Sequence, residues 1–432
     1  MSQATKHPSA DVTVTRDVEY GQGQIGHGTA TPGVRPLMLD IYAPSGPLPA
    51  VPRPALVLSH GGAYHRGSKQ HDVFEQDGSF NTPVHEYCER FAARGYVCFS
   101  VGYRLTQERA APQRHPIRRN RGSVSRGRID HVRGLLGLPP ATDEELLHGV
   151  EGAIADVAAA FRFVHGNAAR WGIDPQRIAI GGFSAGAFSS IYATYALGVP
   201  AAAVVSLSGG MDLEDAVHYL HGGRGQPPVL LLSSEFDLPG IHDRTMALAT
   251  QAERVGLGVR RYFVPGKPHF YDRDTDVLLQ PSSLPGGAAR CTLGSAIETF
   301  LDDTLAPVGV DLGTLEAFAE AFNRHDADAL MAMLSADCVF NASAGPEACG
   351  TRHVGPAAVR AAFVQIWTDF PDAQWTRARH LVSGRRGVSE WTFVGTRASD
   401  GVRVEVDGCD LFTFAGTKIR VKDSMRKQRV AS

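Results

Sequence analysis

Residues 171–191 read WGIDPQRIAIGGFSAGAFSSI, and most of the chain's organisation can be worked out from them. RIAIGG is a short apolar run of strand type, and AFSSIYATYAL after it has helical character. Between them lies Gly182-Phe183-Ser184-Ala185-Gly186. A serine on a tight strand-to-helix turn has a strained backbone, and its flanking positions must be small because neighbouring chain passes close by. A bare GxSxG arises easily by chance in a chain with 47 glycines. The strand before it and the helix after it are what give this one weight.

Outward from that turn the same alternation repeats. PLMLDIYAP, ALVLSH, YVCFSVGYRL, AAVVSLSGG, PVLLLSSEFD and VRRYFVPG read as further strands between about Pro36 and Leu301. Several are apolar almost throughout, as strands covered on both faces should be. Helical patterns run from about Pro83 to Arg94, where Gly95 stops one, and from about Thr142 to Arg170. The expected fold class is therefore α/β, a mostly parallel doubly wound sheet. One segment breaks the rhythm. Residues 104–133 carry nine arginines (Arg104, Arg109, Arg114, Arg118, Arg119, Arg121, Arg126, Arg128 and Arg133) against Glu108 and Asp130. With little periodicity, residues 104–140 read as an insertion beyond a strand end, either a basic collar for an acidic substrate or a solvated surface segment.

Serine needs a base to take its proton, and the base needs an orienting acid. On a sheet of this kind the chain order is serine, acid, histidine. PVLLLSSEFD ends in Asp237, and one helix and one strand later PGKPHFY presents His269. Asp243 and His242 compete, but both fall inside the intervening helix. The expected catalytic set is Ser184, Asp237 and His269. His60-Gly61-Gly62-Ala63-Tyr64 follows ALVLS directly. Its glycines suit backbone N–H groups aimed at an oxyanion, so Gly61, Gly62, Ala63 and the amide of Ala185 are the expected oxyanion hole. His60 is expected to hold that loop by hydrogen bonds.

At 432 residues the chain is too long for one ordinary core. After Leu301 the alternation stops. The boundaries expected are 1–303 for the first domain, 304–312 for a linker holding Pro307, and 313–432 for a small α+β domain. There an amphipathic helix from Thr314 and a helix near Pro356–Phe370 precede hairpin-like strands. A net charge of −2 provides no sustained positive field, which argues against a nucleic-acid partner. MSQATKHPSADVTV has no apolar stretch of signal-peptide type, and no apolar run would cross a bilayer, so a cytoplasmic protein without a membrane partner is expected. The six cysteines Cys88, Cys98, Cys291, Cys338, Cys349 and Cys409 are scattered, and are read as reduced thiols. No His, Cys or acidic cluster has catalytic metal spacing, so no metal is expected.

HGGAYHRGS, SVGYRL, WGIDPQRIAIGGFSAGA and PGKPHFY together resemble the esterase/lipase branch of the α/β-hydrolases, the hormone-sensitive-lipase and feruloyl-esterase-like carboxylesterases, over roughly residues 30–303. That resemblance implies hydrolysis of a small-molecule carboxylic ester through an acyl-enzyme on Ser184, with no cofactor. Amidase, formamidase, thioesterase and lactonase activities share the same acyl chemistry. Two departures stand out. Ala63 occupies a place often held by a third glycine, and the arginine-rich insertion replaces a short proline-rich segment. FNRHDADALMAMLSADCVFNASAG, GTRHVGPAAVRAAFVQIW and VDGCDLFTFAGTKIRVKD resemble the SnoaL-like, ketosteroid-isomerase-like cone over about residues 312–425. By that resemblance the isomerase's hydroxyl donor falls on Phe318 and its base on Asn341, which cannot do the work, while its acid falls on Asp410, which is retained. A substrate pocket or a homodimer contact is the expected role. The alternative is a bifunctional hydrolase whose second domain isomerises or cyclises a polycyclic or polyketide-like product, and a catalytically idle binding protein is the remaining class.

Overall fold

The computed structural model describes residues 11–119, 126–221, 225–280, 290–306, 310–383 and 385–428. Arg121, Pro307 and the first ten residues lie outside that set. By contacts the chain divides into two compact units, the first drawn from Met1–His221 and Gln226–Leu305 and the second from Gly222–Gly225 and Ala306–Ser432.

The first unit is built on a ten-stranded sheet: β1 (Val12–Ile25), β2 (Gly33–Pro44), β3 (Arg53–Ser59), β4 (Val97–Val101), β5 (Ile173–Phe183), β6 (Ala203–Leu207), β7 (Val229–Phe236), β8 (Val259–Pro268), β9 (Asp276–Gln280) and β10 (Arg290–Thr292). They lie in the order β1-β2-β4-β3-β5-β6-β7-β8-β9-β10. The six from β4 to β8 run parallel; β2 and β9 flank them antiparallel, and β1 and β10 pair antiparallel with β2 and β9 at the two edges.

The central strands are apolar over most of their buried positions because both faces are covered. Ile178 and Ile180 of β5 pack into one cluster with Val57 and Val204, against α3 (Asp143–Gly166), α4 (Ala185–Tyr195), α5 (Leu213–Tyr219) and α6 (Ile241–Arg254). Ala179 points the other way, and with Leu56, Leu58 and Leu232 meets α1 (Val84–Ala93) and α7 (Leu293–Leu305). Residues two apart share a face, so each strand feeds both clusters. Every fully buried Ile or Leu contributes about 1.5–3 kcal/mol by leaving water. The start of α3 is set by a capping box. Thr142 Oγ1 accepts from the Glu145 N–H at 3.1 Å, and Glu145 returns an acceptor to the Thr142 N–H at 3.0 Å.

Three features depart from the expectations. β1 is a 14-residue strand whose positions are mostly exposed, paired only with β2. β9 and β10 extend the far edge. The arginine-rich insertion contains a helix, α2 (Arg126–Leu135), with Ile129, Val132 and Arg133 as its buried residues. Most of its arginines are tied down. Arg104 grips buried Asp156 at 2.9 and 2.7 Å, Arg118 pairs with Asp212, Arg126 pairs with Asp143, and Arg109 pairs with Glu145. All six cysteines are free.

The second unit is a six-stranded sheet with helices. β11 (Leu334–Asn341), β12 (Arg352–Val354), β13 (Gln374–Ser383), β14 (Arg386–Thr396), β15 (Arg403–Ala415) and β16 (Lys418–Arg426) run in the order β12-β11-β16-β15-β14-β13. α8 (Leu312–Asn323), α9 (Ala327–Met333) and α10 (Pro356–Asp369) supply Phe318, Phe322, Leu330 and Phe363 to a core shared with Phe393, Phe412 and Phe414 of the sheet. Asp311 caps α8 by accepting from the Thr314 N–H at 2.9 Å. Among the described residues, no helix is long and apolar enough to cross a membrane.

Candidate active site

Ser184 sits between the end of β5 and the first turn of α4 with φ 52° and ψ −116°, a left-handed conformation that strains a residue bearing a Cβ. Two close approaches explain its neighbours. A Cβ on Gly182 would lie 2.3 Å from the Ser59 carbonyl oxygen at the end of β3, and one on Gly186 would lie 2.0 Å from it. The Ser184 N–H is anchored to the Leu207 carbonyl at the end of β6, 2.8 Å away. Three strand ends thus pin the turn.

β7 and β8 bring the other two groups. His269 Nε2 is 2.9 Å from Ser184 Oγ, and His269 Nδ1 is 2.5 Å from Asp237 Oδ1. The side chains of His269 and Asp237 are each only 2% exposed. Asp237 also accepts from Ser208 Oγ at 2.6 Å, the Ser234 N–H at 3.1 Å and the Leu238 N–H at 2.8 Å. Burial pushes its carboxyl pKa up, but the bonds from His269, Ser208 and Ser234 outweigh that and hold it below the usual carboxylate value. Asp243 and His242 lie exposed on α6.

Of the four expected oxyanion donors, Gly62, Ala63 and Ala185 line the cavity at Ser184 and His269. Gly61 is not among its lining residues and is packed on Phe183. The loop is strained over three residues in succession, with φ 115° at Gly62, 54° at Ala63 and 61° at Tyr64. Ala63 therefore holds a conformation that glycine takes freely, which makes its replacement of the third glycine a real departure. His60 is buried beneath this loop. Its Nδ1 is 2.7 Å from the Gly61 carbonyl, and its ring stacks on Tyr103 with centroids 4.2 Å apart. Burial lowers its pKa to about 4, so it stays neutral while it holds the loop. The cavity measures about 100 Å³ and its wall is mostly apolar, including Phe188, Ile241 and Phe270. Among the described residues, no group of three or more His, Cys, Asp or Glu could hold a metal ion.

Residues 148–199, which span the elbow, match the BD-FAE family model, and residues 315–421 match that of the SnoaL-like domain. The first unit has the α/β-hydrolase fold, and a SnoaL-like domain follows it. Esterase 2 of the planctomycete Thermogutta terrifontis, in its propionate-bound structure, is similar to the hydrolase unit at 21% identity. The match covers 61% of this chain and 85% of that one, with a TM-score of 0.39. For the SnoaL-like domain, candidate polyketide cyclases from Pseudomonas putida KT2440 and Xanthomonas campestris pv. campestris match at 20% and 22% identity. Each of these matches covers 27% of this chain, and they cover 90% and 88% of the cyclases, with TM-scores of 0.24. No curated protein matches the chain in sequence.

Inside the SnoaL-like domain, Asp410 is already engaged. It accepts from Lys422 Nζ at 2.6 Å, Trp391 Nε1 at 2.9 Å and Ser424 Oγ at 2.5 Å. The cavity reaching it is about 20 Å³, room for a water or two. Phe318 lines that cavity, whereas Asn341 is fully buried in β11 and does not. Both members of the Asp410–Lys422 pair are buried, which yields a stability test. Lys422→Met leaves an uncompensated buried carboxylate and should destabilise this domain by about 3–5 kcal/mol, read from its thermal or denaturant unfolding. Asp410→Leu in the same chain should restore much of that loss. A single variant as stable as the parent would show that the pair carries no charge.

Two groups at the hydrolase site were not singled out from the sequence. Ser208 follows β6 with φ 51° and bridges Asp237 to Tyr271 Oη, 2.7 Å away. Arg66, in the loop after Tyr64, lines the cavity. The order of strand ends hints at Ser208, since a residue just past β6 must lie between those carrying Ser184 and Asp237.

Proposed function

We propose that the hydrolase unit cleaves small carboxylic esters through an acyl-enzyme on Ser184. The observation that carries this reading is the hydrogen-bonded line from Ser184 Oγ through His269 to Asp237, opening on a mostly apolar cavity. In the reaction His269 Nε2 takes the Ser184 proton as Oγ bonds to the ester carbonyl carbon. The N–H groups of Ala185 and of the Gly62–Ala63 turn face the oxyanion that forms. Collapse breaks the bond to the alcohol oxygen, which leaves with the proton from His269. Water then repeats the sequence on the acyl-enzyme and frees the acid. Asp237, held ionised by its neighbours, keeps His269 in the tautomer with Nδ1 protonated.

A serine-directed fluorophosphonate should stop turnover of p-nitrophenyl esters and add its mass to the peptide carrying Ser184. Label on another residue, with turnover lost, would move the nucleophile elsewhere. Ser208→Ala should lower kcat about tenfold with little change in KM, because the buried Asp237 carboxylate loses a charge-assisted bond worth about 1.5–3 kcal/mol. A rise in KM with kcat untouched would mean Ser208 acts on substrate and not on Asp237.

For the SnoaL-like domain we propose a binding or pairing role. The engagement of Asp410 by Lys422, Trp391 and Ser424 supports it, since an acid so held has no free oxygen facing a substrate-sized space. Light scattering on the full chain reads its mass in solution, and a monomer at all concentrations would remove the pairing half of this proposal.

A further inference from the structure

Four arginines and no aspartate or glutamate line the cavity at Ser184. Two of them are a structural clamp. Arg118 Nη2 and Arg244 Nε each lie 2.8 Å from an oxygen of the same carboxylate, that of Asp212. Arg66 and Arg128 differ. Among the described residues neither has a carboxylate within ion-pairing distance, and Arg66 Nε is buried without any hydrogen-bond partner. Each guanidinium lies instead near an aromatic ring of the cavity wall, Arg66 4.4 Å from the centre of Phe74 and Arg128 5.8 Å from that of Phe270.

The acids near them are not aimed at them. Asp130, two residues along α2, is exposed and faces Arg126 at 3.7 Å. The Asp72 carboxyl is turned to the Val84 N–H. Burial lowers the pKa of both guanidiniums, and Arg66 lowers that of Arg128 further. Two like charges on the wall of one cavity, each partly buried, are unfavourable unless an anion completes them. Stacking orients a guanidinium fork, and that fork matches the two oxygens of a carboxylate. The two arginines come from separate segments, the loop that follows the oxyanion turn and the insertion helix α2. Their meeting beside the nucleophile is therefore a property of the folded site and not of a basic run.

We propose that Arg66 and Arg128 form an anion subsite, and that the enzyme's esters carry a carboxylate. This rests on the esterase reading above. The carboxylate could stand on the acyl side or on the alcohol side, and paired esters tell these apart. On the acyl side, p-nitrophenyl hemiglutarate is compared with neutral p-nitrophenyl valerate. On the alcohol side, 4-acetoxybenzoate is compared with its methyl ester. In at least one pair the charged ester should have a kcat/KM about tenfold or more above its neutral partner at low salt, and rising salt should erode the advantage. In Arg66→Gln/Arg128→Gln that ratio should fall about tenfold or more, whereas Arg66→Lys/Arg128→Lys should keep part of it. Ratios at or below one in both pairs of the unmodified protein overturn the proposal without any variant, and so does a ratio the double glutamine variant leaves unmoved. Failure of the esterase reading gives a different result, with none of the four esters turned over and no phosphonate label on Ser184. In that event calorimetry with glutarate still reads the arginine pair. Binding to the full chain that is lost in the double glutamine variant supports the subsite, and its absence, or binding indifferent to the variant, overturns it.

Discussion

Ser184→Ala should reduce ester turnover by on the order of 10⁶ in kcat and leave the fold intact. Loss of His269 should cost about as much, because the base and its acid have no separate work once the nucleophile is gone. The residual rate should reflect only oxyanion and binding effects, roughly 10³–10⁴ above the uncatalysed reaction. Folding should be spared for a local reason. Serine and alanine both carry a Cβ, so the strain of φ 52° at the elbow is the same in each. The change removes one hydroxyl at a site 9% exposed and creates no steric conflict with Ser59 or Leu207. Steady-state kinetics on a p-nitrophenyl ester, with a melting curve beside it, decide the matter. A variant that melts normally yet retains even a tenth of the parent's kcat would sink the assignment of Ser184.

The parts of this fold that could be read in advance are those where one physical demand governs many residues. Strands buried on both faces must be apolar almost throughout, which is why RIAIGG and PVLLLSS stand out. The elbow is legible because only glycine fits beside Ser59, and glycine at two fixed offsets leaves a trace. β1 left no such trace. Its positions are mostly exposed and polar, and what holds it is pairing with β2, which no run of apolar residues announces. The helix α2 was hidden for a related reason. Its buried residues are few, and its arginines mask the period of Ile129 and Val132. Ser208 is hinted at only by the order of the strand ends, and Arg66 by nothing, for a further reason. What they do depends on which strand ends and loops become neighbours, and a serine or an arginine in a loop carries no record of that.

Asp237→Asn should lower kcat by on the order of 10⁴, while Asp243→Asn should change it by no more than about twofold. The difference follows from counting donors. Asp237 receives four, from His269 Nδ1, Ser208 Oγ, Ser234 N and Leu238 N, and a carboxylate has acceptor room for all of them. Asparagine presents one acceptor oxygen and an NH₂ group. If that oxygen stays with the Ser234 N–H and Ser208, the NH₂ faces His269 Nδ1 and the Leu238 N–H, and the imidazole must turn that nitrogen into an acceptor. Its proton then moves to Nε2, the nitrogen that has to receive the Ser184 proton, and the base is lost. If the oxygen turns instead to His269, buried donors at Ser208 and Ser234 are left facing an NH₂, each unmet group costing about 1–3 kcal/mol. Asp243 has no such neighbours, since it lies exposed on α6 and receives none of these bonds. Kinetics on the two variants with one ester, and a melting curve for each, separate tautomer loss from unfolding. A folded Asp237→Asn that works nearly as well as the parent, beside a crippled Asp243→Asn, would transfer the acid's role to α6 and break the link drawn between strand ends and chemistry.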